Sequence, residues 1–244
     1  MSIRTLRSAM AFLTVLPVAT SEGGPGDRLG RAYFPAIGAV VGLASAAVFV
    51  LMGSFSTPLL AAVAATATLA LLTGALHLDG LADAADGLFG GGDVARRLEV
   101  MRDPRLGSFG VVAIALVLVG EVAAIASMSP GVAVAALVIA GALSRLAMLS
   151  VITLVPYVRT SGLGVAAGDS AHRAFDLSLG ASFAAVACLL DWPRALLALS
   201  LVALSATAVV VLARRRLGGA TGDVYGATAE LCMLAGLIAF AVHR

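Results

Sequence analysis

Charged residues are scarce in this chain of 244 residues. Only 12% of the residues are charged and 60% are hydrophobic, whereas a soluble domain carries about 25% charged residues. Lysine is absent, so all 16 basic residues are arginines. This composition excludes an ordinary soluble domain and indicates that a lipid bilayer is the solvent of the chain.

Cysteine is also rare, which limits the disulfide and metal chemistry expected of the chain. Cys188 and Cys232 fall in separate apolar runs, so neither a structural disulfide nor a cysteine metal site is expected. The chain has no Cys/His cluster and no Walker A motif, which argues against zinc chemistry and a P-loop enzyme. The net charge is only +2, and no nucleic-acid partner is expected.

Long apolar runs predict an all-α, polytopic integral membrane bundle that forms one domain over residues 1–244. A helix needs about 20 apolar residues to cross the hydrocarbon core. About seven transmembrane helices are predicted, at 32–53, 57–76, 109–128, 132–156, 175–190, 195–213 and 224–243.

The arginines lie mainly at alternate ends of these spans. If the N-terminus is cytoplasmic, 13 arginines fall on one side, Arg194 and Arg244 fall on the other, and Arg145 lies within a span. Arginine and lysine are enriched in cytoplasmic loops. The pattern therefore predicts a cytoplasmic N-terminus. Residues 1–20 loosely resemble a secretory signal, but we interpret them as a retained interfacial or re-entrant helix.

Three aspartates form the most informative motif. Asp79, Asp83 and Asp86 have the spacing i, i+4, i+7, which places them within roughly 60° on one face of a helix. Like charges one turn apart repel each other. A divalent metal ion is therefore the best candidate for the occupant of this face.

A second group lies before and within the last span. Gly219, Thr221 and Gly222 form a turn of small residues whose free N–H groups suit an anion. Asp223 adds a fourth carboxylate on the same side of the membrane, and Glu230 shares its helix face two turns deeper. This turn is predicted to bind substrate.

Other polar residues lie inside spans or beside them. Arg145 is predicted to face a partner or a cavity, and Glu121 could form an ion pair with it. His77 lies opposite the aspartates on an ideal helix, so we expect it to contact substrate or neighbouring residues rather than the metal.

Carboxylates, arginines and glycine turns on one face indicate metal-assisted phosphoryl transfer. The motifs resemble those of the cobalamin-5′-phosphate synthase family, also called adenosylcobinamide-GDP ribazoletransferase, over nearly the whole chain. The matching segments are FLTVLPV (12–18), HLDGLADAADG (77–87), RLEVMRDPRLGSFG (97–110), SRLA (144–147) and GGATGDVYGATAEL (218–231).

The resemblance implies a bacterial inner-membrane enzyme of coenzyme B12 assembly with its active face in the cytoplasm. It implies that adenosylcobinamide-GDP and α-ribazole, or its 5′-phosphate, are joined with release of GMP, that Mg²⁺ is required, and that other B12-assembly enzymes are partners.

The mechanism expected from both arguments gives each charged residue a role. Asp79, Asp83 and Asp86, together with Asp223, hold Mg²⁺ on the diphosphate. Arg102 and Arg105 bind phosphate oxygens, and Asp103 or Glu99 accepts the proton of the attacking hydroxyl.

Two other functions remain open from the residues alone. A CDP-alcohol phosphotransferase also uses aspartates on membrane helices, but Gly90-Gly91 stands where its pattern has Ala-Arg. An ion-coupled transporter would use Glu121, Arg145 and Glu230 as a relay. The small-residue spacing of Gly38–Gly42 permits helix association, so a homo-oligomer is compatible with the sequence.

Overall fold

A computed structural model describes residues 3–18, 30–159 and 172–242. Within these ranges the chain is helical, and the only bridge outside helices joins Tyr157 and Ala220. The elements in chain order are α1 (Ile3–Leu13), a 3₁₀ turn (Arg31–Tyr33), α2 (Phe34–Gly53), α3 (Pro58–Leu72), α4 (Leu76–Phe89), α5 (Val94–Val100), α6 (Ser108–Ala126), α7 (Pro130–Leu154), α8 (Arg173–Cys188), a 3₁₀ turn (Leu189–Asp191), α9 (Trp192–Leu217) and α10 (Gly222–Ala241). The all-α prediction is confirmed.

The helices are long and apolar enough for a polytopic membrane protein. Five helical stretches in the described part of the chain meet the length and composition of a membrane span. The bent pair α3–α4 meets them only when its two helices are counted together as one span. The five stretches are Arg31–Gly53, Ser108–Ala126, Pro130–Leu154, Arg173–Leu217 and Gly222–Ala241.

The stretch Arg173–Leu217 contains the fifth and sixth predicted spans. Its 45 residues would extend about 68 Å if straight, more than twice the thickness of a bilayer core. Instead, Gly180 lies against the side chain of Leu149, and Arg214 donates a hydrogen bond to the carbonyl oxygen of Leu154, 3.4 Å away. Because both ends reach the same part of α7, the chain folds back at the 3₁₀ turn between α8 and α9.

The second predicted span, 57–76, differs from the structure. Helix α3 ends at Leu72, and α4 starts at Leu76 with its axis at 87° to α3. Gly74 and Ala75 lie between them with φ of 61° and 55°, a left-handed conformation that ends a helix. The aspartates therefore lie on a separate helix and not on a continuation of the span.

The small-residue face at Gly38 and Gly42 is used inside the molecule. A Cβ atom on Gly38 would overlap the carbonyl oxygen of Gly141, and one on Gly42 would overlap that of Leu137. Glycine at these positions lets the backbones of α2 and α7 touch. The predicted helix association at this face is confirmed within the chain, where it packs against α7.

One end of the bundle, which we call the acidic face, contains the starts of α2, α6, α8 and α10 and the ends of α3, α7 and α9. Arg31 at the start of α2 forms an ion pair of 2.8 Å with Asp176 on α8. The backbone N–H of Val15, after α1, donates to the carbonyl oxygen of Leu72 at the end of α3. Residues 1–20 thus include a helix that packs at this face. Arg28 and Arg244, which entered the charge comparison, lie outside the described residues.

Candidate active site

The three aspartates lie on one helix but in different surroundings. Helix α4 contains all of them; Asp79 is exposed, Asp83 is half-buried and Asp86 is buried. The helix packs closely on α10, because Gly80 leaves room for the backbone of Asp223. This approach places the carboxylates of α4 beside the first turn of α10.

Asp86 holds the start of α6. Its carboxylate oxygens accept the backbone N–H groups of Gly107 at 2.8 Å and Gly110 at 2.9 Å. The first N–H groups of a helix have no partner inside the helix, and a negative charge is favourable there. Asp86 therefore connects α4 to α6, a structural role that the sequence did not indicate.

Asp223 forms an ion pair with an arginine of the same chain. Its Oδ2 lies 2.7 Å from the guanidinium of Arg159 and 3.2 Å from the hydroxyl of Thr221. Arg159 follows α7, and its side chain is 11% exposed. Asp83 is close enough for the charges of both Asp223 and Asp79 to act on it. The fourth carboxylate was thus correctly placed near the other acids, whereas Arg159 was missed.

A cavity of about 240 Å³ opens between α1, α4, α7 and α10. The acidic, basic and imidazole side chains that line it are those of His77, Asp79, Arg159 and Asp223. Its other lining residues are mostly apolar or aromatic. The cavity therefore combines acidic groups, one guanidinium and an apolar surface, as a site for a nucleotide-like molecule would.

A second polar cluster lies deeper, below this cavity. Arg145 lies 3.4 Å from Nδ1 of His77, and Glu230 lies 3.9 Å from the same atom. Glu121, Arg145 and Glu230 also line a small cavity of about 10 Å³, which is the volume of about one water molecule. Glu121 and Arg145 do not form the predicted ion pair in the described structure. The Arg145 guanidinium instead lies beside His77 and donates a hydrogen bond to the hydroxyl of Ser144.

The charged residues of α5 and of the loop after it do not line the cavity. Glu99 pairs with Arg96 at 2.7 Å, and Asp103 pairs with Arg105 at 2.7 Å. The hydrogen bonds from Arg105 lower the pKa of Asp103 to about 2, which makes this carboxylate a weak base. Arg102 is exposed, and neither it nor these pairs line the cavity. The charge of Arg102 nevertheless acts on a tyrosine that lines the cavity, whereas the predicted proton acceptors Glu99 and Asp103 are paired with arginines.

Arg97 is a structural residue that sequence reasoning missed. It is 5% exposed, and its guanidinium donates to the carbonyl oxygens of Gly87 and Gly92 at 3.0 and 3.1 Å. The last carbonyl groups of a helix lack partners, and an arginine can satisfy them. Asp93 caps the start of α5, since it accepts the N–H of Arg96.

The glycine turn before α10 is fixed by backbone contacts. Thr221 caps α10 by accepting the N–H of Val224 at 3.3 Å, and the N–H of Ala220 donates to the carbonyl oxygen of Pro156 at 2.8 Å. A Cβ on Gly219 would overlap that same carbonyl oxygen. Gly222 lines the cavity, whereas Thr221 is buried and serves as a cap.

The donor atoms suit a hard cation, although the described residues form no ready-made metal centre. Magnesium prefers carboxylate oxygens, which Asp79, Asp83 and Asp223 provide near one another. Within residues 3–18, 30–159 and 172–242, no three His, Cys, Asp or Glu side chains converge as a metal centre would require. Asp223 instead binds Arg159. The ligand set therefore stays a prediction.

Comparison with known proteins identifies the family. A family model described as cobalamin-5-phosphate synthase matches residues 5–241. The chain belongs to the cobalamin-5-phosphate synthase family. Because the match covers all the helices that build the cavity, the aspartate helix and the glycine turn lie in a family domain and not in an added segment.

Relatives of this family cover the chain almost completely. Proteins named adenosylcobinamide-GDP ribazoletransferase are 39% identical in Bradyrhizobium diazoefficiens, over 99% of this chain and 96% of the relative, and 40% identical in Stutzerimonas stutzeri, over 96% of each. One from Desulforamulus reducens is 36% identical over 93% of this chain and 92% of its own length. No solved structure matches the chain. The resemblance drawn from the motifs is confirmed, and membership of the cobalamin-5-phosphate synthase family leaves no support for the transporter or CDP-alcohol alternatives.

Proposed function

We propose that this membrane protein is an adenosylcobinamide-GDP ribazoletransferase. It joins adenosylcobinamide-GDP to α-ribazole, or to α-ribazole 5′-phosphate, and releases GMP. The observation that carries the proposal is the cavity in which Asp79 and Asp223 face Arg159 beside an aromatic wall. The full-length match to ribazoletransferases supports the choice of substrates.

The reaction replaces the phosphoanhydride bond of the diphosphate with a phosphate ester bond. A ribose hydroxyl oxygen of the acceptor forms a bond to the phosphorus on the cobinamide side of the diphosphate. The bond from that phosphorus to the oxygen of GMP breaks, GMP keeps the electron pair, and the hydroxyl proton passes to solvent in the open cavity. No oxidant or reductant is needed.

Different residues of the cavity bind different parts of the reactants. Arg159 is placed to bind diphosphate oxygens with two parallel N–H donors, and in doing so it exchanges Asp223 for the substrate. Asp79, Asp83 and Asp223 would hold Mg²⁺. When bound, this ion neutralises negative charge on the diphosphate and on the leaving group. Asp86 stays with α6, so we assign it to support of the site and not to the metal.

We further propose that the protein lies in the bacterial cytoplasmic membrane with the acidic face toward the cytoplasm. The support is the arginine distribution, with 13 of 16 on that side. GMP would then be released in the compartment that contains nucleotides.

The test uses the full chain purified in detergent. Adenosylcobinamide-GDP with α-ribazole should give GMP when Mg²⁺ is present, and excess EDTA should stop the release while the helical circular dichroism stays unchanged. CDP-diacylglycerol with an alcohol serves as the comparison pair. Release of CMP from that pair, without GMP from the first, would replace the proposal with a CDP-alcohol phosphotransferase.

A further inference from the structure

The apolar side of the cavity is a preformed wall of large side chains. Phe12, Met148, Tyr157 and Tyr225 line it, and they come from α1, α7, the segment after α7, and α10. The rings of Tyr157 and Tyr225 lie 6.0 Å apart at an interplanar angle of 34°. Met148 and Tyr225 are 1% and 3% exposed, so the surrounding structure fixes their positions.

Phe12 connects the amphipathic N-terminal helix to this wall. Its ring stacks on that of the fully buried Phe34, with centroids 5.6 Å apart and an angle of 8°. Stacked rings hold each other in place. Helix α1 therefore contributes a residue to the cavity in addition to packing at the acidic face of the bundle.

The wall is mainly hydrocarbon, and its polar atoms are two tyrosine hydroxyls and a thioether sulfur. The hydroxyl of Tyr225 is buried without a hydrogen-bond partner in the described part of the chain. The carboxylates of Asp79 and Asp223 and the guanidinium of Arg159 line the same cavity. The shape and chemistry fit a molecule with a flat apolar ring at one end and a polyhydroxylated or phosphorylated group at the other.

The proposed reaction includes two such molecules, and their rings differ in polarity. The guanine of the GMP leaving group carries several donors and acceptors on its edges, and each one buried without a partner costs about 1–3 kcal/mol. The dimethylbenzimidazole of α-ribazole has methyl groups on its outer edge and no N–H donor there. The wall suits the second ring and not the first.

We propose that the wall of Phe12, Met148, Tyr157 and Tyr225 binds the benzimidazole ring of the acceptor nucleoside, with its ribose directed toward Asp79 and Asp223. This inference rests on the proposed function, since it assigns one of its two substrates to a subsite. It makes Phe12 and Tyr225 residues that determine acceptor specificity.

The test compares Phe12→Ala with the wild-type chain. Phe55→Ala is the matched control, because Phe55 is 67% exposed in the turn between α2 and α3, away from the cavity. Loss of one ring contact is worth about 0.5–1.5 kcal/mol, so Phe12→Ala should raise the KM for α-ribazole about threefold to tenfold. The KM for adenosylcobinamide-GDP should change less than about twofold.

Binding of α-ribazole alone, measured by calorimetry without the second substrate, gives a readout that does not need turnover. Phe12→Ala should weaken this binding by the same factor, and a riboside with adenine in place of benzimidazole should bind the wild type more weakly. Phe12→Leu is the second variant if the alanine variant does not fold.

Two failures are distinguishable. If Phe12→Ala raises the KM for adenosylcobinamide-GDP while that for α-ribazole stays constant, the wall binds guanine and the inference is overturned. If the wild type releases no GMP, the proposed function fails. Calorimetry then still decides the inference, since unchanged α-ribazole binding in Phe12→Ala would refute it.

Discussion

Asp86 gives the sharpest test of how the site is built, because sequence and structure assign it different roles. The i, i+4, i+7 spacing groups it with the metal ligands, whereas in the structure both of its oxygens accept N–H groups at the start of α6. Replacement by asparagine keeps the size of the side chain and one carbonyl acceptor. The new amide group then points an N–H donor at a backbone N–H donor.

The expected cost follows from these two hydrogen bonds. A hydrogen bond to a charged group contributes about 1.5–3 kcal/mol, and the interaction of a carboxylate with a helix N-terminus adds about 0.3–1 kcal/mol. Asp86→Asn loses one bond and the charge, so the free energy of unfolding should fall by about 2–4 kcal/mol. For a chain of this size the thermal midpoint should fall by roughly 4–16 °C.

The assay is helical circular dichroism of the detergent-solubilised protein during heating, paired with GMP release at low temperature. Asp83→Asn is the matched control, since Asp83 lies on the same helix and is half-buried. We expect Asp83→Asn to abolish GMP release at an unchanged thermal midpoint. If Asp86→Asn keeps the wild-type midpoint but loses Mg²⁺ binding and turnover, Asp86 is a metal ligand and our reasoning is wrong.

Three other variants test separate parts of the structure. Arg159→Gln removes the cation paired with Asp223, so Mg²⁺ should bind about fivefold to thirtyfold more tightly by calorimetry; unchanged or weaker binding would show that Arg159 does not compete with the metal. Gly38→Ala forces α2 from α7 and should cost about 1–3 kcal/mol in thermal unfolding, whereas Gly131→Ala, with open space around it, should not; equal effects would contradict the close helix contact. Asp103→Asn should leave the pH profile of GMP release unchanged above about pH 3, because the hydrogen bonds from Arg105 already keep the pKa of Asp103 at about 2; a shifted profile would make it the base.

Features that depend on neighbours in the sequence were predictable. Apolar runs indicated the spans, and the spacing of Asp79, Asp83 and Asp86 placed them on one helix. The position of Asp223 near the other acids followed from counting the side of each span.

Features that depend on distant contacts were not predictable. Nothing in the sequence near Asp86 indicates that its oxygens meet the start of α6, 21 residues later. Arg159 and Arg97 looked like loop charges, but tertiary contacts bury both. The sharp break before α4 was missed because Ala75, a good helix former, adopts a left-handed φ of 55°. Glu99 and Asp103 were predicted to accept a proton, but each pairs with a neighbouring arginine.

Helix α4 is fixed at two points, at Gly80 against α10 and at Asp86 against α6. One residue inserted between them would rotate the second point by about 100° around the helix axis. The carboxylate could then no longer reach α6, and the acids on either side of the insertion would face different neighbours. Natural variants of this stretch should therefore differ in side chains while keeping the same number of residues.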